Sequence, residues 1–216
     1  MAAIIFDLDG VLIDSEGLQY KAYCEVLATY GRKPTFDEYA EHWIAAGRGP
    51  EYAVKTWELP IAPDELRRVR SPVYHKILCA EVTLMPGVVA ALERLHKLFP
   101  MAIATNSIAR DVGYVVERFE LQKFFRAVVS RDDYRRAKPE PDAFLTAATR
   151  LDTPARQCVV IEDAHKGILA AHRAGTHCIA VPNEWTAKND FSLADVVLTS
   201  LDELTPELID RVVGSH

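Results

Sequence analysis

The stretch "IIFDLDGVLIDSEG" (4–17) sets the problem that the rest of the chain resolves. Ile4, Ile5 and Phe6 make a short apolar run, Asp7 and Asp9 follow two residues apart, and Gly10 comes directly behind. Residues two apart on an extended strand point to one side. The pattern therefore predicts a strand that ends in two neighbouring carboxylates and a turn. Repulsion between them is unfavourable unless something nearby offsets it.

Working outward, further short apolar runs fall at "AAIIF" (2–6), "MAIA" (101–104), "RAVVS" (126–130), "CVVI" (158–161), "HCIAV" (177–181) and "DVVL" (195–198). They do not alternate apolar with polar, which is the signature of strands covered on both faces of a parallel sheet. Helical spacing lies between most of them, as in Val88, Ala91, Leu92, Leu95 and Leu98, or Val112, Val115, Val116 and Phe119. Phe144, Leu145, Ala148 and Leu151 repeat the pattern, and a helix over 164–174 is predicted to stop at Gly175. Alternating strands and helices imply an α/β fold: a doubly wound, Rossmann-like parallel sheet.

Residues 15–84 break the alternation. Leu18, Ala22, Val26 and Tyr30 keep an i, i+4 register, Leu66, Val69, Val73 and Ile77 nearly keep one, and no strand is evident. The expected organisation is a core of 1–14 and 85–216 interrupted by a helical insert over 15–84, with hinges near Ser15 and Met85.

The 216 residues carry a net charge of −6 and are 49% hydrophobic, an ordinary globular composition. The negative charge argues against nucleic acid as a partner. No apolar run approaches the roughly 20 residues that span a bilayer, and the N-terminus lacks a secretory pattern. Cys24, Cys79, Cys158 and Cys178 are widely spaced, which suits reduced thiols in a cytoplasm better than a disulfide framework. The histidines have no zinc spacing.

Ligands of open α/β sheets bind outside the carboxyl ends of the strands. The first strand is followed by Asp7 and Asp9, the second by Thr105, Asn106 and Ser107, the third by a loop holding Lys138, and the fourth by Glu162 and Asp163. Each piece has an ordinary structural explanation. Asp9-Gly10 reads as a turn, "TNS" as a helix N-cap, Lys138 as a surface lysine, and "IED" as acids placed favourably at a helix start. A calcium loop fits poorly, because the closing glutamate is missing. All four at strand ends, in this order, are hard to attribute to chance.

Together they resemble the haloacid dehalogenase superfamily, in its phosphatase and β-phosphoglucomutase-like branch with a helical cap. "DLDGVLIDS", "ATNS", "AKPEPDAF" and "VIEDAHKGI" resemble that family's four motifs in order, and 15–84 stands where its cap stands. The resemblance implies that Asp7 is a nucleophile forming an aspartyl phosphate and that Asp9 is the acid and base. It implies Mg²⁺ held by Asp7, the Asp9 carbonyl and Asp163, with Glu162 close. Thr105, Asn106 and Ser107 would meet the phosphoryl group, and Lys138 would place a cation beside the nucleophile. The dehalogenase branch lacks the second aspartate, so dehalogenation is not expected.

The expectation is a monomeric, cytoplasmic, Mg²⁺-dependent phosphatase for a small phosphorylated metabolite, a sugar or polyol phosphate, without a nucleic-acid or membrane partner. A hexose-phosphate mutase with the same aspartyl phosphate is the alternative, and a non-catalytic phosphate-binding module is more remote. Specificity is expected in the cap. There Gln19 stands where many relatives carry histidine, which counts against a mutase, and Arg48 could meet a carboxylate or second phosphate. Trp43 and Trp57 are read as cap core.

Overall fold

A computed structural model describes residues 2–214. The chain separates into two compact units, one running to Ile13 and resuming at Leu84, the other spanning Asp14–Thr83. In chain order the elements are β1 (Ala3–Phe6), β2 (Ile13–Asp14), α1 (Glu16–Ala28), α2 (Phe36–Tyr39), α3 (Gly49–Thr56), α4 (Pro63–Glu81) and β3 (Thr83–Leu84). They continue with α5 (Val88–Leu95), β4 (Met101–Ala104), α6 (Ala109–Arg118), β5 (Ala127–Val129), α7 (Asp142–Arg150), β6 (Cys158–Glu162), α8 (His165–Ala174), β7 (His177–Ala180), β8 (Val196–Val197) and α9 (Pro206–Val213).

The core unit is built on a parallel sheet in the order β5-β4-β1-β6-β7-β8. Each crossover to a parallel neighbour requires a connection long enough for a helix; α6 and α8 supply two of these, and α7 carries the chain back from β5 to β6 on the other side of β1. The order steps outward from β1 to β5, returns, and then grows the other way from β6. The reversal beside β1 is where a doubly wound sheet opens a crevice for ligands. Ile4 pairs with Met101 on one side and Val159 on the other, so β1 is central and every residue of it is buried.

One face of the sheet presents Ala3, Ile5, Ala102, Ala104, Val129 and Val160 to Phe144, Ala147, Ile168 and Ala171 of α7 and α8. Alanines on the helix side let these helices lie close to the strands, and Phe144 fills the remaining space. Burying a side chain of that size contributes about 1.5–3 kcal/mol. Helix α8 stops because Gly175 adopts φ +68°, a left-handed conformation that glycine reaches without penalty.

The Asp14–Thr83 unit is helical. Its core gathers aromatic rings: Trp43 stacks on Tyr39 with centroids 5.5 Å apart and meets Tyr23, Tyr52 and Trp57 at 5.4–6.5 Å. Residues Ala40–Ala45 form a π-helical turn that carries Trp43 into this cluster. Gly49 is required there, because a Cβ on it would lie 2.0 Å from the Trp43 ring.

The expected face of α4 is corrected by the structure. Leu66, Tyr74 and Leu78 are buried, whereas Val69 is 39% exposed. The inward row is 66, 70, 74 and 78, spaced by four, so it contains Arg70. Its guanidinium lies between the rings of Tyr23 and Tyr74, 4.9 and 4.7 Å from their centroids, and donates to Gln19 Oε1. An arginine on a core face is invisible to apolar periodicity, which is why the valine row was read instead. The strands β2 and β3, which pair with each other, are only two residues long, too short for apolar spacing to announce them.

Candidate active site

The backbone ladder continues past the strand ends for one residue. Asp7 N–H donates to Ile161 O at 2.9 Å, and Thr105 N–H donates to Val129 O at 3.0 Å. Asp7 and Thr105 are thereby fixed before the chain turns. Gly10 makes the turn after β1 with φ +78°, and a Cβ there would lie 2.3 Å from Asp163 Oδ2. Both the conformation and the space demand glycine.

Lys138 reaches this crevice from the loop after β5. Its ammonium donates to Asp7 Oδ1 at 2.5 Å, Glu162 Oε1 at 2.8 Å and Ala104 O at 3.0 Å. Three protons therefore meet three acceptors, the full capacity of the group. The Phe144 ring lies 4.4 Å from the same nitrogen. Lys138 is only 6% exposed, which removes the surface-lysine explanation.

Burial of the Lys138 ammonium would lower its pKa, but the carboxylates of Asp7 and Glu162 more than compensate and carry it above the usual lysine range. Lys138 is the securely charged member of the group. Asp7 moves the other way from a normal aspartate: burial drives it up, Lys138 draws it down, and Glu162 and Asp9 push it up again, to about 7. One ammonium does not balance this many acids.

Asp9 is held from the β4 side. Its Oδ2 accepts from Ser107 Oγ at 2.6 Å and Thr105 Oγ1 at 3.1 Å, and Thr105 Oγ1 in turn accepts from Ser107 N–H at 3.0 Å. The structure thus sets the hydroxyls of Thr105 and Ser107 on Asp9. Asn106 Oδ1 accepts from Lys138 N–H at 3.1 Å and from Tyr134 Oη at 2.7 Å. Tyr134 is pushed up to about 12, chiefly by burial, and remains a neutral donor.

On the β6 side, both oxygens of Glu162 are used. Oε1 meets Lys138, and Oε2 accepts from the N–H groups of Asp163 and Ala164 at 3.0 and 3.1 Å. The carboxylate folds over the start of α8, where a Cβ on Gly167 would lie 1.7 Å from Oε1. Asp7, Glu162 and Asp163 each offer an oxygen within 4.8 Å of the others, and all three are buried. Asp7, Asp9, Thr105, Asn106, Ser107, Lys138, Glu162 and Asp163 thus come together in the core unit. Gln19 and Arg48 belong to the helical unit, where Gln19 is engaged by Arg70 and Arg48 is exposed at the start of α3.

A family model described as haloacid dehalogenase-like hydrolase matches residues 4–181. The chain belongs to this family. Among relatives of this hydrolase, the fructose-1-phosphate phosphatase YqaB of Escherichia coli is 33% identical over 185 residues, 83% of this chain and 96% of that protein. A probable pseudouridine-5'-phosphatase of Drosophila melanogaster is 34% identical over 212 residues, covering 94% and 91%. The crystal structure of a putative β-phosphoglucomutase from Thermotoga maritima matches with a TM-score of 0.71 at 27% identity, covering 100% of this chain and 99% of that one.

The donor set of this hydrolase fits a hard divalent cation. Asp7, Glu162 and Asp163 offer only oxygen, as Mg²⁺ prefers, and the surplus of buried negative charge around Lys138 calls for further positive charge. Two supporting residues escaped sequence reading. Tyr134 has one hydroxyl proton to share between Thr105 O at 2.8 Å and Asn106 Oδ1 at 2.7 Å, and it lies in the loop before Lys138, with no motif to mark it. Asn183 touches Asp163 from the loop after β7. Its signal was present in "VPN", a polar residue just beyond a fifth strand end.

Proposed function

We propose that this hydrolase is a Mg²⁺-dependent phosphatase that cleaves a small phosphorylated metabolite, a sugar or polyol phosphate, through a phosphoryl intermediate on Asp7. The observation that carries the reading is the buried Asp7 carboxylate: Lys138 holds one oxygen, and a second aspartate, Asp9, is held on hydroxyls beside it. A nucleophile and a separate proton carrier are what two-step phosphoryl transfer needs.

Asp7 attacks phosphorus, and the bond to the substrate oxygen breaks as Asp9 supplies its proton. Asp9 then takes a proton from water, which attacks the phosphoryl group and frees the Asp7 carboxylate. The Asn106 N–H orients phosphoryl oxygens, while the Thr105 and Ser107 hydroxyls keep Asp9 in place. Lys138 fixes the Asp7 rotamer and offsets charge on the transferred group. Mg²⁺, held by Asp7, Asp163 and the Asp9 carbonyl, would neutralise the phosphoryl oxygens. Glu162, whose oxygens are already engaged, serves chiefly to hold Lys138. Residues 15–84, with Gln19 and Arg48 among them, are assigned substrate selection.

A panel of sugar, polyol and nucleotide monophosphates, assayed with Mg²⁺ and with chelator, tests the reading. Release of inorganic phosphate from at least one of them, abolished by chelator, is the expected result. Isomerisation of a hexose monophosphate that needs a bisphosphate activator, without net release, would instead make the enzyme a mutase. No reaction of either kind would remove the catalytic reading.

A further inference from the structure

We infer that Tyr134 is a positioning residue: its hydroxyl holds the peptide between Thr105 and Asn106 so that the Asn106 N–H is aimed and strengthened as a donor to the transferred phosphoryl group. The inference rests on the proposed phosphatase reading, in which that N–H meets phosphoryl oxygens.

The segment after β4 is bonded through most of its polar atoms. Thr105 N–H donates to Val129 O at 3.0 Å, Ser107 N–H donates to Thr105 Oγ1 at 3.0 Å, and Ser107 O accepts from Arg131 N–H at 2.9 Å. Asn106 N–H differs, since no acceptor meets it among the described residues. The carbonyl of the same peptide, Thr105 O, accepts from Tyr134 Oη at 2.8 Å and from no other donor among the described residues. The two groups belong to one planar trans unit, so carbonyl and N–H point opposite ways. Holding the carbonyl on Tyr134 therefore fixes where the N–H points, away from the ring. It also polarises the unit, because a bond accepted by the carbonyl strengthens the bond that its N–H donates.

The hydroxyl has one proton and a second neighbour, Asn106 Oδ1 at 2.7 Å. That amide oxygen is identified by Lys138 N–H, which can only donate and lies 3.1 Å away. Lys138 serves it whichever way the hydroxyl turns, whereas Thr105 O depends on Tyr134. The ring is fixed independently of the hydroxyl. It packs on the core cluster that includes Ala104, Val129 and Phe144, and the Arg131 guanidinium lies 5.2 Å from its centroid. Arg131 Nη1 also donates to Tyr134 O at 2.9 Å. With its own N–H on Ser107 O, Arg131 makes the loop after β5 grip the segment at Ser107, while Tyr134 grips it at Thr105.

Tyr134→Phe keeps the ring and removes the hydroxyl. The test compares it with wild type in steady-state hydrolysis, at saturating Mg²⁺, of an aryl phosphate or of a monophosphate that wild type cleaves. The value of kcat is expected to fall by about fivefold or more, with a smaller change in KM, because a donor aimed at the transferred group acts on the chemical step. In nitrogen-labelled protein without substrate, the Asn106 amide proton should move upfield in the variant, a signature that loosening elsewhere would not give. A smaller fall in kcat, a larger change in KM than in kcat, or an unmoved Asn106 resonance overturns the inference and leaves the phosphatase reading standing. A variant that no longer folds overturns it too, since the hydroxyl would then be a folding contact. If wild type cleaves no phosphate monoester, the phosphatase reading fails, and the inference fails with it.

Discussion

Lys138 has three ammonium protons and three buried acceptors, so substitution at this position removes more than a charge. In Lys138→Met the carboxylates of Asp7 and Glu162 remain buried and lose their shared partner. Breaking a buried pair in this way costs about 3–5 kcal/mol, and urea denaturation at neutral pH should show a loss of that size. Gly167→Ala forces the Glu162 carboxylate off the start of α8, and overpacking of this kind costs about 1–3 kcal/mol. The same denaturation measurement reads it, and an unchanged midpoint would mean that Glu162 moves freely.

Asp7 gives the pH dependence. Burial raises its pKa to about 7 from an ordinary 3.8, so the folded chain binds a proton over a window where the unfolded chain has released it. Stability rises with pH where the unfolded state binds more protons. Here the folded state binds more, so this group's contribution falls as pH rises from about 4 to about 7. A cation competes with that proton for the carboxylate. Mg²⁺ should therefore raise the melting temperature more at about pH 8 than at about pH 5.5. Equal shifts at both would place the cation away from Asp7.

At the scale of elements, α8 ends where glycine permits it to end. Gly175→Ala puts a Cβ on a residue with φ +68°, which costs roughly 1–2 kcal/mol, and thermal unfolding should record it. Helix α4 shows the limit of periodicity. Its existence followed from spacing, but its inward row was misassigned because Arg70 occupies a position where an apolar residue was sought. Arg70→Ala should destabilise the helical unit, since each lost cation–π contact is worth about 0.5–2 kcal/mol. Arg70→Met, which restores apolar volume, should recover part of that loss in the same unfolding measurement.

Across the whole molecule, the parallel sheet was legible because its strands are short, apolar and buried on both faces. Four strand ends then located eight polar residues that the structure brings together. The local sequence does not carry what those residues do to each other. The hydrogen bonds from Thr105 and Ser107 to Asp9, and the full use of Glu162 by Lys138 and two backbone N–H groups, depend on where neighbouring strands stop. Tyr134 and Asn183 were missed for the same reason, since each is defined by the atoms it touches and by no spacing of its own. On the proposed reading, the paired aspartates of the first strand are crowded where a divalent cation and Lys138 would offset their charge.

The most direct test of that explanation is phosphate release from a generic aryl phosphate, with saturating Mg²⁺ and with chelator, by wild type and by Asp7→Asn. The account predicts Mg²⁺-dependent release by wild type that falls by about a thousandfold or more in the folded variant. Release that survives Asp7→Asn would contradict it.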